Sequence, residues 1–130
     1  ISGDNTAVGM SIFHNLCGTQ IPFKIDMLER HPHGSQSFIP LQQQKFIIIV
    51  ALPLDYSQPD EQKIYAFLSN GKQGVTYHQG VWHHPLITLE AESDFVVVDR
   101  IGGGQNCDVH HLAQPYWIIE QQLQSEIVNL

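Results

Sequence analysis

Residues 46–52 read FIIIVAL, the longest apolar run in the chain. Branching at Cβ, as in isoleucine and valine, disfavours a helix and favours a strand. The run is also far too short to cross a bilayer as a helix. We therefore predict a β-strand at Phe46–Leu52, and the rest of the fold is interpreted outward from it.

Short stretches of strand-forming residues recur on both sides of this run, separated by glycine, proline and asparagine. Many short strands with such punctuation are typical of an all-β sandwich or barrel. The predicted strands are Met10–His14, Ile25–Glu29, Gln36–Leu41, Phe46–Leu52, Val75–His78, Leu86–Ala91, Asp94–Arg100 and Tyr116–Glu120.

Two further segments are less clear-cut. Ile64–Leu68 has helix boundary signals, but the Asn70-Gly71 pair behind it is also the preferred two-residue hairpin turn. We favour a strand there, because its neighbours are strands. The one helix that we predict is short, around Glu120–Val128, where Leu123 and Ile127 share a face.

The composition is that of a single soluble globular domain. The chain has 130 residues, of which 42% are hydrophobic and 15% charged, and its net charge is −7. Such an acidic balance argues against a nucleic-acid partner, and no segment predicts a membrane span. Cys17 and Cys107 form no motif, which favours a reducing, cytoplasmic location.

The glycine run Gly102–Gly104 does not predict a nucleotide site. A glycine loop that cradles phosphate leads into a helix, whereas here Gln105-Asn106-Cys107-Asp108 follows. We expect a loop there, and no nucleotide or organic cofactor.

The stretch Leu28–Leu41, LERHPHGSQSFIPL, holds the first candidate site residues. Side chains alternate along a strand, so Glu29 and His31 should point one way and Arg30 the other. If the strand that begins at Gln36 folds back against the first, a carboxylate, an imidazole and an amide converge.

A fourth candidate is His83, in Gly80-Val81-Trp82-His83. If its strand closes over the same cavity, the mixed nitrogen and oxygen donors would suit a divalent metal. The alternative is that these turn histidines are ordinary surface residues. By alternation His84 should face away from His83.

Arg30 and Arg100 are the two arginines of the chain. Arginine holds a carboxylate through two parallel hydrogen bonds better than lysine does, so either could anchor a carboxylate-bearing substrate. Equally, each could form a structural ion pair with its acidic neighbour, Glu29 or Asp99.

Four strings closely resemble the ureidoglycolate lyase family, long described as ureidoglycolate hydrolases. The Arg-His-Pro, Ser-Gln-x-Phe, Val-Trp-His-His-Pro and Asp-Arg elements follow one another in the family's order and spacing, from about Ile25 to Val109. Members usually carry several dozen residues ahead of the point where this chain begins. We therefore expect residues 1–130 to be one domain that lacks the family's N-terminal segment. The strings are residues 28–41 (LERHPHGSQSFIPL), 46–52 (FIIIVAL), 64–89 (IYAFLSNGKQGVTYHQGVWHHPLITL) and 94–109 (DFVVVDRIGGGQNCDV).

The resemblance implies a cupin-like double-stranded β-helix, with the site in the mouth of the barrel. The generic cupin motifs are H-x-H-x(3,4)-E and P-x-G-x-x-H. Overlaying them places Glu29, His31 and Gln36 on the first, and His78 and His83 on the second. Glutamate then replaces a histidine, glutamine replaces the glutamate, and a histidine replaces the proline. A register with His31 and His33 as the H-x-H pair brings Gln36 too early.

The implied activity is that of a carbon–nitrogen lyase of allantoin degradation, in purine catabolism, which cleaves (S)-ureidoglycolate to glyoxylate and urea. The resemblance also implies a homodimer and leaves a divalent metal such as nickel possible, with Glu29, His31, Gln36 and His83 as its ligands. For the proton transfers we predict His31 or His83 as the base, supported by Glu29, and His78 as a second candidate.

Substrate contacts are expected from Gln36 to the ureido group and from Arg30 or Arg100 to the carboxylate. Two alternatives stay open. One is a catalytically silent cupin that binds a small carboxylate. The other is a metal-dependent dioxygenase with Glu29, His31 and His83 as its metal face.

Overall fold

The apolar run FIIIVAL forms a central, buried strand of a fold that consists almost entirely of β-strands. The computed structural model describes residues 1–120 and 123–124. The strands are β1 (Thr6–Asn15), β2 (Phe23–Arg30), β3 (Gln36–Pro40), β4 (Phe46–Pro53), β5 (Pro59–Leu68), β6 (Val75–Tyr77), β7 (Trp82–His83), β8 (Ile87–Thr88), β9 (Ser93–Gly102), β10 (Asp108–Ile118) and β11 (Leu123–Gln124).

These strands form two sheets. The small sheet has the order β1-β9-β3-β6, and the large sheet has the order β10-β2-β7-β4-β5-β11, with β8 also paired to β4. The large sheet curls and brings β5 close to β10, the strand at its other edge. There Glu61 of β5 accepts hydrogen bonds from the His110 side chain and the Ala113 backbone N–H. The result is an all-β, cupin-like half-barrel, as the sequence predicts.

The run FIIIVAL is buried because both faces of its strand are covered. Phe46 and Ile48 pack with Phe95 of the small sheet in a core between the two sheets. Ile47 and Ile49 point the other way, into a second core enclosed by the curl of the large sheet. Apolar residues at successive positions are therefore needed, rather than the alternation of a half-exposed strand.

Most predicted strands are confirmed, including the one at Ile64–Leu68, which lies within β5. The predicted strand Leu86–Ala91 shrinks to Ile87–Thr88. The last long strand is underpredicted: β10 begins at Asp108, where we expected only Tyr116–Glu120. The usual alternation is blurred, because Val109 and Trp117 are exposed while His110 is partly buried. The register against β2 is also interrupted between His111 and Tyr116.

Two expectations about placement are wrong. The strand that begins at Gln36 does not fold back on β2, but pairs with β9 and β6 in the small sheet. The prediction of a helix at Glu120–Val128 fails at Leu123–Gln124, which form β11 in parallel with β5. Leu123 packs against the second core there. The remainder of that predicted helix, apart from Glu120, lies outside the described residues.

Within the described part of the chain, no helix has the length and apolarity that crossing a membrane requires.

Candidate active site

Two strands of the large sheet bring the candidate residues together on the face that looks toward the small sheet. Glu29 of β2 and His83 of β7 are direct cross-strand partners, and such partners project to the same face. His31 lies two residues beyond Glu29, so it shares that face. The ring centroids of His31 and His83 are 5.1 Å apart. The predicted convergence of these three residues is therefore present.

Glu29 stands between the two imidazoles. Its Oε1 atom lies 3.5 Å from His83 Nε2 and 4.0 Å from His31 Nε2. The pKa of the Glu29 carboxyl is lowered, chiefly by its interaction with His83, while partial burial acts in the opposite direction. The carboxyl group is therefore ionised at neutral pH and attracts positive charge into the cluster.

The Glu29 Oε2 atom accepts a weak hydrogen bond from the thiol of Cys107, with a sulfur–oxygen distance of 3.5 Å. Burial, together with the charge of Glu29, raises the pKa of the Cys107 thiol to about 11. Cys107 is therefore a neutral donor at pH 7, and it helps to hold the carboxylate in place.

His83 is the most deeply buried member of the cluster, with 1% of its surface exposed. Its Nδ1 atom lies 2.9 Å from the Val81 carbonyl oxygen, which can only accept, so Nδ1 carries a proton. The Tyr77 ring stacks on the imidazole at 4.0 Å between centroids. Within the described residues, the buried Nε2 atom has no hydrogen-bond partner. An orphaned ring nitrogen that faces a carboxylate is an arrangement suited to a proton or a cation.

His31 is held from two sides. Its Nδ1 atom donates to the Asn106 carbonyl oxygen at 2.9 Å, and its Nε2 atom lies 3.0 Å from Gln36 Oε1. The Gln36 amide is oriented by Asp99, because its Nε2 atom donates to Asp99 Oδ2 at 3.2 Å. A carboxylate only accepts, so the amide oxygen must face His31. Gln36 reaches the cluster across the gap between the sheets, and not from a strand next to β2.

The donor set fits a divalent metal. Glu29, His31 and His83 each offer one ligand atom, and these atoms lie within 4.8 Å of one another. The Nδ1 proton of His83 bonds a backbone carbonyl, as is usual for a metal-binding histidine, and leaves Nε2 free. Mixed imidazole and carboxylate ligands suit several transition metals. Gln36 Oε1 lies beside this group as a possible fourth donor.

Two cavities meet at the cluster, and Asp99 lines both. The larger, of about 330 Å³, has Glu29, Gln36 and Asp99 in its polar wall. The smaller, of about 230 Å³, is lined by His31, Asp99 and Arg100 among others. The first therefore presents carboxylate and amide groups, whereas the second contains the cationic group.

The two arginines belong to different sheets, Arg30 to β2 of the large sheet and Arg100 to β9 of the small sheet. Arg100 is 9% exposed and lines the smaller cavity, where it donates to the carbonyl oxygens of Ser2 and Gly103 and to the Asn106 side chain. Arg30 donates to Asp108 and the Tyr56 carbonyl, away from the cluster.

The ion pairs that were the alternative for each arginine, with its acidic sequence neighbour, are not present in the described chain. Arg30 pairs with Asp108 instead of Glu29, at 2.9 Å. Arg100 bonds carbonyl oxygens and Asn106, and it makes no ion pair with Asp99 within the described chain. For Arg30 the physical reason is alternation, since it follows Glu29 on β2 and consecutive strand residues face opposite sides.

The structure does not bring the other histidines into the cluster. His78 is exposed and lines a separate apolar groove with Val75 and Val81. His33 lines the smaller cavity, with its Nδ1 atom 3.2 Å from Ser2 Oγ. His84 packs edge-on against Phe23, away from His83 as predicted, and burial lowers its pKa.

Sequence reasoning missed four residues around the cluster: Asp99, which contacts Gln36, and Tyr77, Asn106 and Cys107, which contact cluster members. The alternation of β9 was a usable signal for Asp99, because it shares a face with the buried Val97 and Phe95. Tyr77 and Asn106 gave no such signal. Their contacts with His83 and His31 depend on strand pairing and loop path, which local patterns do not specify.

The amino-acid sequence of the chain is similar to those of known proteins. A family model described as ureidoglycolate lyase matches residues 2–119. A protein named ureidoglycolate lyase from Pseudomonas savastanoi pv. phaseolicola is 52% identical over 99 residues, which cover 76% of this chain and 57% of that relative. One from Pseudomonas syringae pv. tomato is 54% identical over 94 residues, 72% of this chain and 54% of its own length.

The chain thus spans little more than half the length of the curated relatives it matches. The family match nevertheless covers the whole cluster, both cavities and nearly all of the two sheets. The chain belongs to the ureidoglycolate lyase family.

Proposed function

We propose that this chain carries the active site of a ureidoglycolate lyase, a carbon–nitrogen lyase that cleaves (S)-ureidoglycolate to glyoxylate and urea. The observation that carries the proposal is the placement of Glu29 between two imidazoles, one of which has a buried, unpartnered nitrogen. The names of the curated relatives supply the substrate.

The reaction needs two proton transfers and no redox change. The hydroxyl group of the substrate loses its proton, and the oxygen electrons form the carbonyl of glyoxylate. The carbon–nitrogen bond breaks, its electron pair stays on the ureido nitrogen, and that nitrogen gains a proton to become urea. A base and an acid that work near neutral pH are sufficient, and imidazole and carboxylate groups serve in both roles.

We assign the base to the pair of Glu29 and His83. Glu29 lines the larger cavity, so its carboxylate can reach the substrate hydroxyl. His83 lies buried behind it, with Nε2 3.5 Å from Glu29 Oε1, where it can share the proton that Glu29 removes. This order differs from the sequence-based expectation that a histidine meets the substrate first with Glu29 in support.

We assign the acid to His31. The ring lines the smaller cavity, and its Nε2 atom faces Gln36, which lines the larger one. Both of its nitrogens face carbonyl oxygens, of Asn106 and Gln36, an arrangement that the doubly protonated ring satisfies. From this position His31 can give a proton to the departing nitrogen. We assign no proton transfer to His78, which is exposed and lines a separate groove.

Arg100 is the better anchor for the substrate carboxylate. Among the described residues, three of its five N–H donors have partners, which leaves two for a ligand in the smaller cavity. Arg30 lies on the wrong face of the large sheet. The alternative to these acid–base roles is a divalent metal. Held by Glu29, His31 and His83, which would then be its ligands, it would act as a Lewis acid that stabilises negative charge on the substrate oxygen.

The proposal is tested by incubating the protein with (S)-ureidoglycolate, with and without a chelator, and quantifying urea and glyoxylate. Equal release of both products is expected. Release that survives the chelator supports catalysis by the side chains alone, and release that the chelator abolishes supports a bound metal. Binding without release would overturn the lyase in favour of a silent cupin, and consumption of oxygen would favour a dioxygenase.

We also propose a setting for this activity: allantoin degradation in the cytoplasm, with the protein as a homodimer. Both cysteines are free thiols, which suits a reducing compartment. The outer face of the small sheet exposes Val8, Met10, Ile12 and Ile39, apolar side chains that a second copy could cover. Light scattering of the purified protein tests the dimer directly.

A further inference from the structure

Asp99 is a carboxylate at the junction of the two cavities, and within the described chain its side chain has one hydrogen bond and no ion pair. It lines both of them and lies directly across from Gln36 in the small sheet. One oxygen, Oδ2, accepts from the Gln36 amide at 3.2 Å. No lysine, arginine or histidine forms an ion pair with it in the described chain. The second oxygen therefore has acceptor capacity for a ligand.

Gln36 has less free hydrogen-bonding capacity for a substrate than its sequence context suggested. Its amide oxygen is engaged by His31 Nε2 at 3.0 Å, and its amide nitrogen is engaged by Asp99. Gln36 thus connects Asp99 to His31 and keeps little free for a substrate. The residue expected to bind the ureido group is better viewed as a bridge.

The charges around the two cavities also determine which end of the substrate binds in which cavity. The larger cavity has two carboxylates, Glu29 and Asp99, in its wall, so a substrate carboxylate would be repelled there. The smaller cavity holds Arg100 and the His31 ring. The anionic end therefore belongs beside Arg100, and the neutral end, rich in N–H donors, belongs beside Asp99.

From this geometry we infer that Asp99 accepts hydrogen bonds from the terminal amino group of the ureido moiety. Asp99 is thus the residue that distinguishes a carbamoyl group from an acyl group of the same shape. A hydrogen bond to a charged acceptor is stronger than a neutral one, and a polar group left unpaired in a site costs binding free energy. The inference rests on the proposed function, since it concerns the same site and substrate class.

The test uses two ligands that cannot react because they have no hydroxyl group. N-carbamoylglycine carries the carboxylate and the ureido group, whereas N-acetylglycine has a methyl group in place of the terminal amine. Their dissociation constants are measured by NMR titration of the intact chain. We expect wild type to prefer N-carbamoylglycine by about 10-fold or more, as sites that hydrogen-bond a ligand N–H group do.

The Asp99→Ala variant should lose most of this preference, and Asp99→Asn should retain part of it through its amide oxygen. The matched control is Asp94→Asn, on the same strand, whose carboxylate binds His14 and Gln42 away from the cavities. It should keep the wild-type ratio.

Two results would overturn the inference: a ratio near one in wild type, or a wild-type ratio in a folded Asp99→Asn and Asp99→Ala pair. Because the ratio compares two carboxylates, it does not depend on turnover. Failure of the lyase assay with the preference intact would refute the proposed reaction and leave the role of Asp99 standing. Turnover of ureidoglycolate without a preference for N-carbamoylglycine would refute the role of Asp99 and leave the proposed reaction standing.

Discussion

The large sheet carries a carboxylate–histidine pair on each face, and the two pairs differ in how completely they are satisfied. On one face, Glu61 receives hydrogen bonds from His110 at 2.8 Å and from the Ala113 backbone. On the other, Glu29 lies 3.5 Å from a His83 nitrogen that has no hydrogen-bond partner in the described chain. The same two residue types thus build a closed contact and an open one.

The difference indicates what each pair does. The Glu61 pair joins β5 to β10 and helps to close the curl of the large sheet, so its hydrogen bonds contribute to stability. The Glu29 pair leaves a buried polar atom unsatisfied, which costs free energy unless a ligand or proton completes it. Trp82 Nε1, beside His110, is also buried without a hydrogen-bond partner in the described chain. The candidate site is therefore marked by an unsatisfied histidine nitrogen that faces a carboxylate, and not by an unsatisfied atom or a histidine alone.

The most direct test of this difference is to remove one histidine from each pair and compare turnover. We expect His83→Ala to lower turnover of ureidoglycolate by about 10²–10⁴, the usual effect of losing positioned acid–base help. His110→Ala should change turnover per folded molecule by no more than about twofold, as substitutions remote from a site do. Initial rates of urea release measure both. Similar losses in the two variants would contradict the assignment.

Metal affinity gives a second contrast. Glu29→Gln removes the only charged ligand of the candidate metal site, so the affinity for Ni²⁺ should fall by at least the roughly 10–100-fold seen when a supporting partner is lost. Glu61→Gln should bind as wild type does. Calorimetric titration of chelator-treated protein makes the measurement. Equal affinity in all three proteins would remove Glu29 from the ligand set.

Stability should respond in the opposite way. Glu61→Gln weakens charge-assisted hydrogen bonds to His110 and Ala113, so we expect the free energy of unfolding to fall by about 1–2 kcal/mol. Glu29→Gln should cost less, because Glu29 makes only a weak contact with Cys107 and a long one with His83. Urea denaturation of both variants decides. A larger loss for Glu29→Gln would reverse the comparison.

The alternation of strand residues explains how much of this site could be predicted. It placed Glu29 and His31 on one face and Arg30 on the other without knowledge of the fold. It could not reveal that Gln36 arrives from the opposite sheet, because strand pairing is a long-range property. The alternative of an ion pair between Arg30 and Glu29 is not realised, because neighbours on a strand diverge, which is also why Glu29 and His31 share a face.

The acid–base behaviour of Glu29 tests its link with His83 more finely. Its pKa is lowered in the folded protein, so ionised Glu29 stabilises the fold above the unfolded-state pKa, and this contribution is lost as the pH falls through the folded-state pKa. In His83→Phe the largest lowering influence is gone while burial still raises the pKa, so the pKa should increase. NMR titration of the carboxyl carbon in metal-free protein measures it. An unchanged value would mean that His83 does not act on Glu29.

The smallest expected effect concerns Tyr77, which contributes a stacked ring and an orphaned hydroxyl to the same cluster. The hydroxyl is buried without a hydrogen-bond partner in the described chain, whereas the ring stacks on His83 at 4.0 Å. Tyr77→Phe keeps the ring and removes the unsatisfied group, so stability should stay equal or rise by up to about 1 kcal/mol. Tyr77→Leu loses the stacking and should be less stable than Tyr77→Phe. If Tyr77→Phe instead destabilises the fold, the hydroxyl has a hydrogen-bond partner in solution. Of the two buried atoms on this face without a partner, only His83 Nε2 would then be unsatisfied.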